Sequence, residues 1–149
     1  MTDVGFYHLT ATPLEAALPR LLEKVLASGQ RAVVMAGSSE RVEALNAQLW
    51  TYNPGSFLPH GSVADGHAAD QPVWLTDKDE NPNGAGVLVL TEGVRSAHMD
   101  AFARCLDLFD GADAGAVAAA RERWTDCRAR GFTVTYWQQT AAGGWEKKA

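Results

Sequence analysis

The sequence predicts a three-layer α/β/α sandwich with a mostly parallel sheet, and three observations lead there. Short apolar runs rich in β-branched residues, such as residues 31–36 (RAVVMA) and 87–91 (VLVLT), suit strands buried on both faces. Stretches of helical period lie between such runs, clearest over residues 14–26 and 114–129. Strand and helix alternate along the chain, the order that gives a parallel sheet covered by helices. With 149 residues, 46% of them hydrophobic, the chain can build one packed core. No internal repeat or long linker interrupts it. We therefore expect a single domain over residues 1–140, followed by a small, polar, flexible tail at 141–149.

In order, residues 5–9 (GFYHL) read as the first strand, and Thr12-Pro13 opens a helix. Its apolar positions 14, 17, 18, 21, 22, 25 and 26 share one face. Pro19 either kinks this helix or marks its true first turn, and Gly29 ends it. After the strand at 31–36, Ser38 or Ser39 caps a second helix, with Glu40 and Glu43 in its first turn. Val42, Leu45, Leu49 and Trp50 are expected to face the core, and Asn53-Pro54-Gly55 stops the helix. Strands follow at 73–76 and 87–91, separated by the turn Asn81-Pro82-Asn83-Gly84. A short helix near 94–102, a strand at 105–109, a long helix at 114–129 ending at Gly131, and an alternating strand at 132–137 complete the chain.

Charge narrows the function. The net charge is −5, which makes the chain as a whole a poor nucleic-acid binder. Residues 1–114 carry 7 basic and 15 acidic side chains, whereas residues 115–149 carry 6 basic and 3 acidic. A basic end on an acidic body points to a confined anion-binding surface. The N-terminus has no basic stretch and no long apolar run, and the two cysteines are not in a CxxC pair. A cytoplasmic protein with reduced thiols and no membrane contact is expected.

Enzymatic equipment is missing. Neither GxGxxG nor GxxxxGK[ST] occurs, and the turn after the first strand lacks glycine, so the fold is nucleotide-binding-like without a phosphate loop. His60 and His67 share a loop with Asp65 and Asp70, but no HxxxH or HExxH spacing supports a metal. No cofactor and no catalytic residue is expected. His8 reads as a half-buried strand residue, and Cys105 and Cys127 as buried thiols.

The last helix carries the one suggestive pattern. Val117, Arg121, Trp124 and Arg128 are spaced four, three and four apart and share a face. Two guanidiniums beside an indole suit a peptide with acidic residues and a bulky apolar end, above all a free C-terminal carboxylate. The residues leave a second possibility open, in which Trp124 is core and Arg121 and Arg128 snorkel at its edges. Arg123 and Arg130 lie off this face and are expected to be solvated.

An ordered set of segments resembles a known family. Phe6-Tyr7-His8-Leu9, residues 29–34 (GQRAVV), residues 44–50 (ALNAQLW), residues 56–60 (SFLPH), residues 120–124 (ARERW) and Gly131-Phe132 are similar to the chi subunit of bacterial DNA polymerase III holoenzyme. The resemblance implies a small non-catalytic subunit of the clamp-loader assembly, which binds the acidic, phenylalanine-ended tail of single-stranded-DNA-binding protein. By position, Arg121 would hold the tail's terminal carboxylate and Trp124 would line the pocket for its last side chain. Trp50 would also serve tail binding. Phe57 would serve another surface, where the psi subunit or an equivalent docks. Val117 and Thr125 stand where basic residues can occur in the family, with Arg128 compensating. Two other functions compete: a nucleotide-binding α/β enzyme, opposed by the missing glycine-rich turn, and a direct single-stranded-DNA-binding module, opposed by the net charge.

Overall fold

A computed structural model describes residues 2–52 and 58–149. In chain order the elements are β1 (Asp3–Leu9), α1 (Leu14–Ala27), β2 (Ala32–Met35), α2 (Ser39–Thr51), β3 (Val73–Thr76), β4 (Val87–Thr91), β5 (Arg104–Asp110), α3 (Ala114–Ala129), β6 (Thr133–Gln139) and β7 (Trp145–Lys147). Single 3₁₀ turns occupy Ala68–Asp70 and Met99–Ala101. The strands form one sheet in the order β3-β2-β4-β5-β1-β6-β7. The first six run parallel, and β7 is antiparallel to β6. The three-layer α/β sandwich read from the sequence is the observed fold.

Chain direction decides which face each helix covers. From β1 the chain moves through α1 and α2 toward the β3 edge; from β5 it moves through α3 across β1 to β6. Right-handed crossovers in opposite directions put their helices on opposite faces. Packing agrees. Leu18, Leu22, Val42 and Leu45 cover Tyr7, Val34, Leu106 and Leu108 on one face. Ala120 and Cys127 of α3 cover Phe6, Val33, Leu88 and Cys105 on the other. Both residue parities of the inner strands are therefore buried, the physical origin of their unbroken apolar runs.

Four local readings are decided or revised by the structure. Pro19 lies within α1 and is buried. It cannot donate to the Glu15 carbonyl, and Gln48 Nε2 from α2 does so instead, at 3.4 Å. The helix expected near 94–102 is reduced to the turn Met99–Ala101. Ser96 Oγ donates to Asp79 Oδ1 at 2.6 Å, Ala97 N–H to Asp79 Oδ2 at 2.8 Å and His98 N–H to Ser96 Oγ at 3.0 Å. These local side-chain bonds divert the backbone from helix. Trp50 is 50% exposed rather than core, because Val42, Leu45 and Leu49 take the inward face and the next residue turns away by about 100°. Finally, part of the segment read as a tail is a strand. Gly143, at φ 89°, turns the chain so that Trp145–Lys147 pairs with β6, and Tyr136 N–H donates to Ala149 O. Three residues give too little pattern to show this in the sequence.

The caps match local chemistry. Ser38 accepts from Arg41 N–H at α2, and Asp113 Oδ1 accepts from Gly115 N–H at 2.9 Å and Ala116 N–H at 3.2 Å at α3. Asp113→Ala is expected to lower stability by about 1 kcal/mol. A urea titration reads this as a lower midpoint at constant slope, and an unchanged midpoint would contradict it. No helix among the described residues is long and apolar enough to cross a membrane.

Candidate functional site

Helix geometry sorts the side chains of α3. At about 100° per residue, positions 116, 120, 123 and 127 occupy an arc of about 60°. Ala120, Arg123 and Cys127 in that arc are buried. Val117, Arg121, Trp124 and Arg128 fall in the adjoining arc of about 60°, on the same helix margin. Val117 and Trp124 are half-buried against the core, whereas Arg121 and Arg128 are exposed.

The grouping expected from spacing is thus present, and the two sequence-level alternatives merge. Trp124 does pack on the sheet: its ring stands edge-on to Phe6, with centroids 5.8 Å apart, and to Tyr136, at 6.0 Å. It is nonetheless only half-buried, one helical turn from Arg121. Among the described residues neither Arg121 nor Arg128 takes part in an ion pair. Both guanidiniums are free for an external carboxylate.

Tyr136 belongs to this site and was not singled out from sequence. Its hydroxyl pairs with His8 Nδ1 on β1. Burial pushes its phenol pKa up, and the positive charge of Arg121 pulls it the other way, which places the two groups within electrostatic reach. The alternation of residues 132–137 puts Val134 and Tyr136 on one face. It does not say that α3 covers that face.

Arg123 corrects an expectation. It is not solvated but 6% exposed, donating Nε–H to Asp107 Oδ2 at 2.7 Å and Nη2–H to Asp107 Oδ1 at 3.0 Å. Burial is the larger influence on Asp107 and pushes its carboxyl up, against the pull of the Arg123 fork. This bidentate pair ties α3 to β5 and fixes the helix's rotation, so that Arg121 and Trp124 emerge at the β6 margin. Arg130 is exposed as expected, with its guanidinium 5.0 Å above the Phe132 ring.

Trp50 is not brought to this group. It projects from α2, on the opposite layer and near the β3 edge, with its ring 4.3 Å from that of His60. Phe57 lies outside the described residues.

The strand ends where an α/β sheet takes a nucleotide are built against one. Chain direction reverses between β1 and β5, and a cleft of ≈ 370 Å³ opens there. Successive N–H groups of Thr10, Ala11 and Thr12 could cradle a phosphate. All three donate instead to Gln139 Oε1, at 3.2, 2.9 and 3.0 Å. Pro13, at the N-cap of α1, has no N–H to offer. Arg41, the cation of the cleft, is bound by Glu92, Nε to Oε1 at 2.6 Å, and by Glu15; those partners raise its pKa further. Asp110 also lines the cleft. An incoming phosphate would meet carboxylates and already-occupied amides.

The remaining candidates are structural. His60 is buried, with its ring nitrogens facing Leu58 O and Asn46 O. Asp65 accepts from Asn46 Nδ2 and from Ser62 N–H. Among the described residues no group of three or more His, Cys, Asp or Glu is arranged to hold a metal. Cys105 and Cys127 are buried free thiols; burial pushes Cys105 up to about 12 and raises Cys127 as well, which leaves both inert as nucleophiles.

Comparison with known proteins gives the family. Over 90 residues the chain is 39% identical to the probable DNA polymerase III subunit chi of Rickettsia prowazekii (strain Madrid E), which covers 60% of this chain and 54% of that protein. The chain therefore spans about half the length of the curated relative it matches. The family model of the DNA polymerase III chi subunit, HolC, matches residues 1–135, a span that includes all of α3 and ends within β6. On that match across most of its length, the chain belongs to the DNA polymerase III chi subunit family.

Proposed function

We propose that this protein is a non-catalytic accessory subunit that links the clamp loader of DNA polymerase III to single-stranded-DNA-binding protein by gripping that protein's acidic C-terminal tail. The observation that carries the proposal is the exposed Arg121 guanidinium, in no ion pair among the described residues, one helical turn from the half-buried Trp124. Arg121 would take the terminal carboxylate through its planar fork, a geometry lysine cannot offer. The last apolar side chain would lie against the wall of Trp124 and Tyr136, and Arg128, one turn along, would meet an acidic residue further up the tail. Val117 adds apolar area where some family members carry charge. The domain would hold protein alone and leave the DNA to its partner, in keeping with the net charge of −5. It would work in the cytoplasm and need no cofactor.

Phe57 is assigned to a second surface, for the psi subunit or an equivalent, and Trp50, exposed on α2, to a tail contact apart from the Arg121 pocket. Trp50 stands on α2, in the layer opposite α3.

A disordered tail must be ordered on binding, and exposed charge pairs contribute little each. The affinity for one tail is expected to be on the order of micromolar, falling with salt and rising when several tails are displayed together. The test is a fluorescence-anisotropy titration of a labelled acidic peptide ending in phenylalanine. Arg121→Ala is expected to weaken binding at least about tenfold while the melting temperature holds, since this exposed side chain takes part in no ion pair among the described residues. Unchanged affinity in that variant would overturn the assignment.

A further inference from the structure

On the face opposite α3, a groove of ≈ 460 Å³ runs between the C-terminal end of α1 and the strands β5, β1 and β6, closed at one side by Trp145 of β7. Its wall is aromatic. Tyr7 and Trp137 pair directly across β1 and β6 with their rings nearly parallel, and Trp145 stands edge-on to Tyr7 at 5.0 Å. Gly5 makes this possible. A Cβ there would lie 2.8 Å from Tyr7 Cε1, so the missing side chain is what lets the tyrosine ring lie back along the strand. In that position its hydroxyl accepts from Arg104 Nη2 at 3.0 Å.

The rim is cationic. Lys24 and Arg104 are exposed, line the groove and make no ion pair among the described residues. Lys147 stands opposite Trp137 in the β6–β7 register and so projects from the same face. None of the described lining residues is acidic, and Asp3, beside Arg104 in register, forms no ion pair with it. An aromatic, acid-free groove is out of keeping with a chain whose first 114 residues are strongly acidic. The α3 site is separated from it by the thickness of the sheet. Trp137, Trp145 and Lys147 also lie past residue 135, where the family match stops.

We infer that this groove is a second docking site, for an acidic peptide segment of a partner protein that carries one bulky apolar side chain. The apolar side chain lies against Trp137 and Trp145, and flanking carboxylates meet Arg104 and Lys24. Charge complementarity selects an anionic partner. The small number of cations, grouped on a short rim, selects a peptide over a polynucleotide, which needs a basic track along its backbone.

The test uses the 149-residue chain carrying Arg121→Ala, in which binding at the α3 site is weakened, so that failure here and failure of the proposed function are told apart. The probe is a fluorescein-labelled octapeptide of aspartates around one central phenylalanine. The controls are an octapeptide of aspartate and serine without phenylalanine, and a labelled oligothymidylate. The phenylalanine peptide is expected to bind, the control peptide at least several-fold more weakly. Lys24→Glu with Arg104→Glu, both on exposed side chains, should reduce binding at least about tenfold, and Trp145→Ala should reduce it too. No binding of the phenylalanine peptide, equal binding to the charge-reversed variant, or preference for oligothymidylate would each overturn the inference. Circular dichroism confirms that the variants are folded.

Discussion

Asp107→Ala is expected to destabilise the protein by about 3–5 kcal/mol, the cost of leaving a buried guanidinium without its counter-charge. Arg123 is 6% exposed and Asp107 2%, and among the described residues the hydrogen bonds of the Arg123 side chain go to that carboxylate. With Asp107 gone, Arg123 must remain buried and unpaired or swing out and pull α3 from β5. For a domain of this size that is a fall in melting temperature of about 10 °C. Urea unfolding of the single variants and of Asp107→Leu with Arg123→Met separates the burial cost from the pair's own worth. The double variant should recover much of the loss, because apolar residues of similar size escape the desolvation penalty. A single-variant cost below about 1 kcal/mol would show that the pair does not anchor the helix.

Gly111→Ala is expected to cost about 2–3 kcal/mol through overpacking. A Cβ at Gly111 would fall 2.0 Å from His8 Cδ2, 2.1 Å from His8 Nε2 and 2.5 Å from the Leu9 carbonyl oxygen. The imidazole could turn aside, but only by giving up the Tyr136 hydroxyl. The carbonyl cannot yield, since Leu9 O accepts from Gly111 N–H at 2.8 Å in the same contact. The melting temperature should drop by about 5–10 °C. Because Tyr136 forms part of the wall beside Trp124, tail affinity of the folded variant should fall with it. A scanning-calorimetry shift smaller than about 2 °C would refute the account.

These predictions rest on residues of unequal visibility in the sequence. The face of Val117, Arg121, Trp124 and Arg128 could be read directly, because helical spacing alone places those positions together. Tyr136 could be placed on a strand but not in a site, since alternation gives two faces and no label for which one α3 covers. Arg123 was misplaced for a related reason. An arginine off the chosen face is ordinarily solvated, and only the pairing of α3 with β5 brings it onto Asp107, 16 residues earlier. Trp50 shows the same limit: it is grouped with Arg121 by resemblance, but it lies on α2, which the chain reaches by moving toward the β3 edge, whereas α3 crosses the other way and covers the opposite face.

What the sequence determined by itself was set by local period and composition: the alternating elements, the buried parallel strands, a serine cap at residue 38 or 39 and the absence of a glycine-rich phosphate turn. The tertiary structure alone decided how distant residues meet. It placed Arg123 on Asp107, closed the amides of residues 10–12 with Gln139, and added β7 to the sheet edge. Hydrophobic periodicity carries information over one or two helical turns. Contacts between separate elements depend on strand order and crossover direction, which no local pattern encodes.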